Sequence, residues 1–113
     1  MKKVKALLID PFQRRVSAIE FEPTLEYFYQ LIGCNCIAGF TDSSGASFTY
    51  DDEYLITEGR ELAYCIMDDW DYPMGGRLIA TGPPDDEGEC TGLTEAQARD
   101  ICRRLHWVEL VPE

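Results

Sequence analysis

The chain has 113 residues and a formal net charge of −11, with 45% hydrophobic and 12% aromatic residues. This hydrophobic content excludes a disordered chain, and the length predicts one domain, residues 1–113, that buries roughly 65% of its extended-chain surface. No apolar run approaches the ~20 residues of a membrane span, and Asp10 interrupts the apolar run near the start before it reaches signal-peptide length. We therefore expect a cytoplasmic protein that does not bind membranes.

The negative charge is concentrated in the middle of the chain. Between Val16 and Ala98 there are 17 acidic residues against two basic ones, Arg60 and Arg77, which is a local formal charge of −15. Because such a surface repels a polyanion, we expect no direct binding to nucleic acid. The alternative explanation of the same composition is an acidic surface that only keeps the protein soluble.

Seven short segments have the alternating or apolar pattern of strands. They are residues 4–9, 15–22, 35–41, 46–50, 61–67, 77–81 and 106–111. Residues 61–67 fit either a strand or a helical turn, and the strand is preferred. Residues 42–45 are expected to form the turn of a hairpin, because glycine and small polar residues accept a tight backbone. A short apolar patch at residues 54–56 is left unassigned.

Two segments have the helical repeat of apolar residues. In the first, within residues 23–34, Thr24 is expected to cap the first turn and Gly33 to end the helix in the left-handed conformation. In the second, Thr94 and Gln97 have the spacing of a capping box. The expected apolar faces consist of Leu25, Phe28, Tyr29 and Ile32 in the first helix and Ala98, Ile101, Cys102 and Leu105 in the second. The order of elements predicts an α+β fold in which two helices pack on a mainly antiparallel sheet.

The cysteines and the histidine give little support to a catalytic or metal site. Five cysteines are an odd number, and the pair Cys34 and Cys36 lacks the second pair that a structural zinc site needs, so core packing is the preferred role. Cys102 is expected to be a small buried hydrophobe. His106, the one histidine, lies beside Trp107, where a packed or surface role is favoured over that of a general base. We expect no catalytic residue, no metal and no cofactor.

The residues expected to contact a partner lie in two acidic loops, residues 68–76 and 82–92. They are Asp68, Asp69, Trp70, Asp71, Tyr72, Asp85, Asp86, Glu87 and Glu89. The carboxylates would present negative charge to a basic protein, and Trp70 and Tyr72 would anchor the interface. The alternative, that these rings pack the loop onto the core, is preferred for Trp70 and stays open for Tyr72. An EF-hand register fails, because Ala80 stands where the twelfth position needs an acid.

Four motifs in the chain are similar to those of a small uncharacterised family. They are K-A-L-L-I-D-P at residues 5–11, R-x-V-x-x-I-E-F at 14–21, Y-x-L-I-G-C at 29–34 and D-D-E-Y-L at 51–55. The family they resemble is a domain of unknown function that is frequent in bacteriophages, plasmids and gut bacteria. This resemblance implies no catalytic residue. It does imply a mobile-element setting, in which small acidic proteins are often antagonists of host defence.

Three functions remain open on these grounds. The preferred one is a small acidic non-enzymatic binding protein that inhibits a host defence nuclease or nucleic-acid-binding complex, as an anti-CRISPR or anti-restriction protein that mimics nucleic acid. Its partner would be a basic host protein or nucleoprotein complex. The second function is a small-molecule or metal-binding module formed by the glycine and carboxylate loops. The third is an accessory protein whose acidity gives only solubility.

Overall fold

A computed structural model describes residues 3–53 and 63–108 of the chain. Within these residues the chain forms eight strands and two helices. The strands are β1 (Val4–Asp10), β2 (Arg15–Phe21), β3 (Ile37–Thr41), β4 (Ser47–Asp51), β5 (Tyr64–Met67), β6 (Met74–Gly75), β7 (Leu78–Thr81) and β8 (Leu105–Val108), and the helices are α1 (Leu25–Ile32) and α2 (Glu95–Arg104). Neither helix is long and apolar enough to cross a membrane, and the described residues contain no other that could.

The strands form two antiparallel sheets rather than the one sheet that was expected. The larger sheet has the order β2-β1-β7-β4-β3, and the smaller has the order β6-β5-β8. Each of the pairings within them is antiparallel. The prediction of an α+β fold with two helices is therefore confirmed in outline, and the prediction of a single sheet is wrong.

The second sheet exists because the larger sheet is apolar on both faces. Along β1, Val4 and Ala6 join a cluster with α1, whereas Leu7 and Ile9 join a cluster on the opposite face. A strand alternates its side chains between faces, so two apolar faces require a cover on each side. Helix α1 covers one face. The smaller sheet and α2 cover the other, where β5 and α2 contribute the buried side chains Cys65, Met67 and Ile101.

The signals for the ends of both helices are confirmed. Thr24 accepts a hydrogen bond from the Tyr27 amide at 3.4 Å, and Gly33 ends α1 with a φ of 82°. The capping box of α2 forms in both directions, because Thr94 accepts from the Gln97 amide at 3.1 Å and donates its own amide to the Gln97 side chain at 2.8 Å. These bonds satisfy amides that the first turn of a helix leaves unpaired.

Two residues assigned to apolar helix faces instead lie at the surface. Leu25 is 60% exposed and Cys102 is also exposed, so both assignments are wrong. In α1 the contact with the sheet lies toward the C-terminal half, where Leu31 joins the cluster and the first turn extends beyond it. In α2 the deepest side chain is Ile101, and Cys102, one residue further round the helix, faces solvent.

Several expected boundaries also change. The loop at residues 68–76 contains strand β6, which pairs with β5. Strand β3 begins at Ile37, so Cys36 precedes it, and β8 begins at Leu105 directly after α2. The patch at residues 54–56 and the expected strand beyond Val108 lie outside the described residues.

Candidate functional site

The turn between β3 and β4 is held by the side chain of Asp42. The Asp42 carboxylate accepts the Ser44 amide at 2.9 Å and the Ser44 hydroxyl at 2.5 Å. The Gly45 amide donates to the Asp42 carbonyl at 3.0 Å, and Gly45 has a φ of 91°, a conformation that favours glycine. These bonds fix the expected turn at residues 42–45.

This turn lies between the two acidic loops. On one side the Ser43 hydroxyl donates to the Asp69 carboxylate. On the other side a side-chain carbon at Gly45 would lie 3.9 Å from the Pro83 ring. Both loops therefore lie at one end of the larger sheet, and we call residues 42–45, 68–72 and 85–89 the acidic edge.

Arg104, at the last position of α2, binds three carboxylates. Its guanidinium lies 3.2 Å from Asp42, 2.6 Å from Asp69 and 2.9 Å from Asp100. The Arg104 and Asp42 side chains are 13% and 1% exposed, so their ion pair is largely shielded from water. The i, i+4 spacing of Asp100 and Arg104 could have indicated one of these pairs. No local pattern indicated the contacts with Asp42 and Asp69, which come from other parts of the chain.

The cluster around Arg104 perturbs the ionisation of its members. The hydrogen bond from Ser43, supported by Arg104, holds the pKa of Asp69 below its usual value. Hydrogen bonds from Arg103 and then Arg104 do the same for the pKa of Asp100. Burial works against the charge of Arg104, but its bonds to carboxylates, Asp42 first, outweigh burial and raise its pKa. Asp69, Asp100 and Arg104 are therefore ionised at neutral pH.

The first residues of the loop at 68–72 make contacts with other parts of the chain. Asp68 hydrogen-bonds to the imidazole of His106, and both side chains are more than half exposed. Trp70 packs edge-on against Phe40 and Phe48, with ring centroids 5.2 and 5.0 Å away. The indole N–H of Trp70 is buried and has no hydrogen-bond partner among the described residues. The expectation that Trp70 packs the loop onto the core is confirmed.

The next two residues of this loop face solvent. Asp71 is exposed, and Tyr72 is 77% exposed, which makes it the most exposed of the large hydrophobic side chains in the described chain. They lie at a cavity of about 370 Å³ between the loop and the β3–β4 turn. We call it the turn–loop cleft; its lining consists of Phe40, Thr41, Asp42, Ser43, Asp69, Trp70, Asp71, Tyr72 and Met74.

The second acidic loop is organised by Asp85. Its carboxylate accepts the amides of Glu87 and Glu89, each at 2.9 Å, and its carbonyl accepts the amide of Gly88 at 2.9 Å. Gly88 has a φ of 77°, which lets the chain turn back tightly. The result is a compact turn whose exposed side chains include Asp86, Glu87 and Glu89.

Comparison with known proteins gives a family. The model of a domain of unknown function, DUF3846, matches residues 2–106 of the chain. The chain belongs to this family. No curated protein and no solved structure matches it. The expected resemblance to an uncharacterised family is confirmed at this level, and the expected occurrence in phages and plasmids stays a prediction.

The ion pair between Asp10 and Arg77 of this DUF3846 domain was also not predicted from the sequence. Asp10 is 8% exposed and accepts the Phe12 amide at 3.0 Å, the Gln13 amide at 3.3 Å and the Arg77 side chain at 3.2 Å. The Arg77 guanidinium also lies 5.6 Å from the centre of the Phe12 ring. The sequence pattern indicated Asp10 only as the residue that interrupts the apolar run near the start of the chain. Asp10 also fixes the β1–β2 turn and orients Arg77.

The cysteines of the domain differ in burial and acidity. Cys65 is fully buried, and burial raises the pKa of its thiol to about 12. Cys36 is exposed, so the expected core-packing role is wrong for this residue. A hydrogen bond to Glu53 raises the pKa of its thiol. A thiol with a raised pKa is a poor nucleophile and a poor metal ligand. These two cysteines therefore lack the features of a reactive site.

Proposed function

We propose that this chain is a non-enzymatic binding protein whose acidic edge contacts a basic protein surface. The observation that carries the proposal is the division of charge at this edge. Asp71, Asp86, Glu87 and Glu89 are exposed, and within residues 3–53 and 63–108 no Lys, Arg or His side chain binds any of them. Tyr72, the neighbour of Asp71 in the chain, is 77% exposed.

The unpaired carboxylates contrast with the other acids of the edge. Asp42 and Asp69 form ion pairs with Arg104, and Asp68 hydrogen-bonds to His106. The paired acids hold the loop against α2 and β8, whereas the unpaired ones contribute negative potential at the surface. Such a potential attracts a basic partner over distances of about a Debye length and speeds its encounter.

The partner that fits this surface best is a protein whose own groove binds phosphates. Spaced carboxylates on a rigid sheet end would occupy such a groove in place of a nucleic-acid backbone. This supports the finer proposal of an inhibitor of a host defence nuclease or nucleic-acid-binding complex, acting by nucleic-acid mimicry. The net charge of −11 also supports mimicry of a polyanion. A cytoplasmic, mobile-element setting would bring the protein together with such a partner.

The other two functions have less support. Among residues 3–53 and 63–108, no three His, Cys, Asp or Glu side chains are grouped so that they could hold a metal ion. A small-molecule site would have to use the turn–loop cleft, whose volume of about 370 Å³ lies near the lower end of the range for ligand pockets, ~300–1,000 Å³. The third function, an acidic surface that gives only solubility, is the alternative that the experiment must distinguish from binding.

The test is a capture experiment followed by reconstitution with purified proteins. The tagged chain is incubated with bacterial lysate at low salt, the retained protein is identified, and its affinity is measured by calorimetry at low and high salt. Asp86→Lys with Glu87→Lys reverses two charges of the edge. Asp52→Lys with Glu53→Lys is the matched control, because it changes the net charge equally at the opposite end of β4.

We expect a basic protein to be retained and to lose affinity as salt rises. The edge variant should weaken binding about tenfold or more, and the control should weaken it much less, because only the first changes charges inside the interface. Displacement of nucleic acid from the partner would then support mimicry. If nothing is retained at low salt, or if both variants weaken binding equally, the proposal is rejected in favour of general acidity.

A further inference from the structure

The turn–loop cleft combines aromatic rings with carboxylates. Phe40, Trp70 and Tyr72 are aromatic residues of its lining, and Asp69 and Asp71 are acidic ones. Asp42 also lies in the lining, but its side chain is only 1% exposed. The face of an aromatic ring and a carboxylate both attract a cation, and the attraction grows where water is partly excluded. The chemistry of the lining therefore favours a positively charged group that is also flat or apolar.

The negative charge of the cleft is only partly neutralised from within the protein. Arg104 binds Asp42 and Asp69 from behind, with its own side chain 13% exposed. Asp71 differs from them, because it has no hydrogen bond or ion pair with any residue in 3–53 or 63–108. Asp71 and Tyr72 are thus exposed neighbours in the chain that both line this cleft.

The chain itself contains an example of a cation held by a ring and a carboxylate. At the β1–β2 turn the Arg77 guanidinium lies 5.6 Å from the centre of the Phe12 ring and 3.2 Å from the Asp10 carboxylate. A guanidinium is planar, so it can stack on a ring while its N–H groups bind a carboxylate. Lysine offers a compact, strongly hydrated charge that fits this combination less well.

We propose that the turn–loop cleft binds the guanidinium of an arginine side chain on the partner protein, stacked on Tyr72 and paired with Asp71. This rests on the proposed function, since it names the partner group that reaches the acidic edge. The cleft volume of about 370 Å³ suits one side chain rather than a whole cofactor. Within the interface the arginine would be a central contact, and the carboxylates of residues 85–89 would lie further out.

The test uses a defined probe and does not depend on the partner. The isotope-labelled full chain is titrated with the peptide acetyl-Gly-Arg-Gly-amide, and amide and indole resonances are followed by NMR. Two comparison peptides carry lysine or citrulline in place of arginine, the latter having nearly the same shape without the charge. The variants are Tyr72→Ala and Asp71→Asn. Their matched controls are Tyr27→Ala, a tyrosine 43% exposed on α1, and Asp86→Asn.

We expect the arginine peptide to shift resonances of residues 69–72 and the Trp70 indole. The citrulline peptide should bind about fivefold or more weakly, since it lacks the charge that the rings and Asp71 attract. Tyr72→Ala and Asp71→Asn should each weaken the arginine peptide at least twofold, and the controls should not. Equal binding of the citrulline or lysine peptide, or shifts scattered over the acidic surface, would overturn the proposal.

The outcomes separate this proposal from the proposed function. If a basic protein is captured and Asp86→Lys with Glu87→Lys weakens it, but Tyr72→Ala does not, then the function stands and the cleft is rejected as its arginine site. If the arginine peptide binds as expected and no basic protein is captured, then the proposed function is rejected and the guanidinium specificity of the cleft stands.

Discussion

The guanidinium of Arg104 lies 3.2 Å from the carboxylate of Asp42, a residue 62 positions away, and the Asp42 side chain is 1% exposed. This pair joins the end of α2 to the β3–β4 turn. The same guanidinium reaches Asp69, so one side chain fixes the turn and the first acidic loop relative to each other. The geometry of the acidic edge thus depends on a residue that contributes no negative charge.

Replacing Arg104 should therefore destabilise the fold. Arg104→Met leaves the buried Asp42 without its cation, and removal of one partner of a buried ion pair costs about 3–5 kcal/mol. Urea unfolding measures the loss. Arg103→Met is the control, because Arg103 also binds Asp100 but its side chain is 76% exposed, and it should cost no more than ~0.5 kcal/mol. Equal costs for the two variants would contradict a shielded pair.

Removing the hydroxyl of Ser43 should change the ionisation of Asp69. The hydrogen bond from Ser43 is the largest cause of the lowered pKa of Asp69, so Ser43→Ala should raise that pKa toward the unperturbed value of 3.8. Carboxyl-carbon NMR during a pH titration measures the change. Ser44→Ala is the control, because its hydroxyl binds Asp42 instead. A similar pKa in Ser43→Ala and the parent would contradict the assigned cause.

The same variant predicts a pH dependence of stability. Because the pKa of Asp69 is lowered on folding, its contribution is present above the unfolded value of 3.8 and is lost as the pH falls through the folded value. Ser43→Ala should therefore be less stable than the parent near about pH 6, and the difference should shrink toward about pH 3. Urea unfolding at both pH values measures it. A difference that grows on acidification would have the wrong sign.

Two apolar residues of α1 should respond very differently to truncation. Ile32 is 5% exposed in the cluster between α1 and the larger sheet, so Ile32→Ala should cost about 2–5 kcal/mol through lost burial and the cavity that remains. Leu25 is 60% exposed, so Leu25→Ala should lower the free energy of unfolding by no more than ~0.5 kcal/mol. Chemical denaturation of both variants measures the two losses in the free energy of unfolding. Comparable losses would restore the original assignment of Leu25 to the packed face.

The thiols should react in the order of their exposure. Cys102 is exposed and should react with a disulfide reagent at about pH 8 in the native protein, whereas Cys65, buried and with a pKa raised to about 12, should react only after unfolding. Mass spectrometry of labelled peptides gives the rates. Glu53→Gln should also speed the labelling of Cys36, whose pKa Glu53 raises. Native labelling of Cys65 at the rate of Cys102 would contradict the described core.

Features that depend on neighbouring residues could be predicted from the sequence. Thr94 and Gln97 form the expected capping box, and Gly33 adopts the expected left-handed conformation. Each of these involves groups within four residues, so residue type and spacing are sufficient. The same holds for the turn at residues 42–45, whose bonds are made by Asp42 and Ser44.

Helix faces and sheet membership were predicted less well. The repeat of apolar residues admits Leu25 and Cys102, but the position of the sheet decides which part of each stripe is covered. Likewise, the segment around Cys65 reads as a strand, yet its pattern does not say which sheet it joins. The need to cover both faces of the larger sheet decides that, and this need arises only once the sheet has formed.

The amino-acid sequence by itself determined the excess of negative charge, the local elements and the two acidic loops. Only the tertiary structure decided which acids pair with Arg104, because Asp42 and Asp69 reach it across long separations in the chain. It also placed the exposed Asp71 and Tyr72 beside one cleft. The physical reason is that ion pairs and clefts between distant segments depend on how helices and sheets pack, whereas caps and turns depend on adjacent residues.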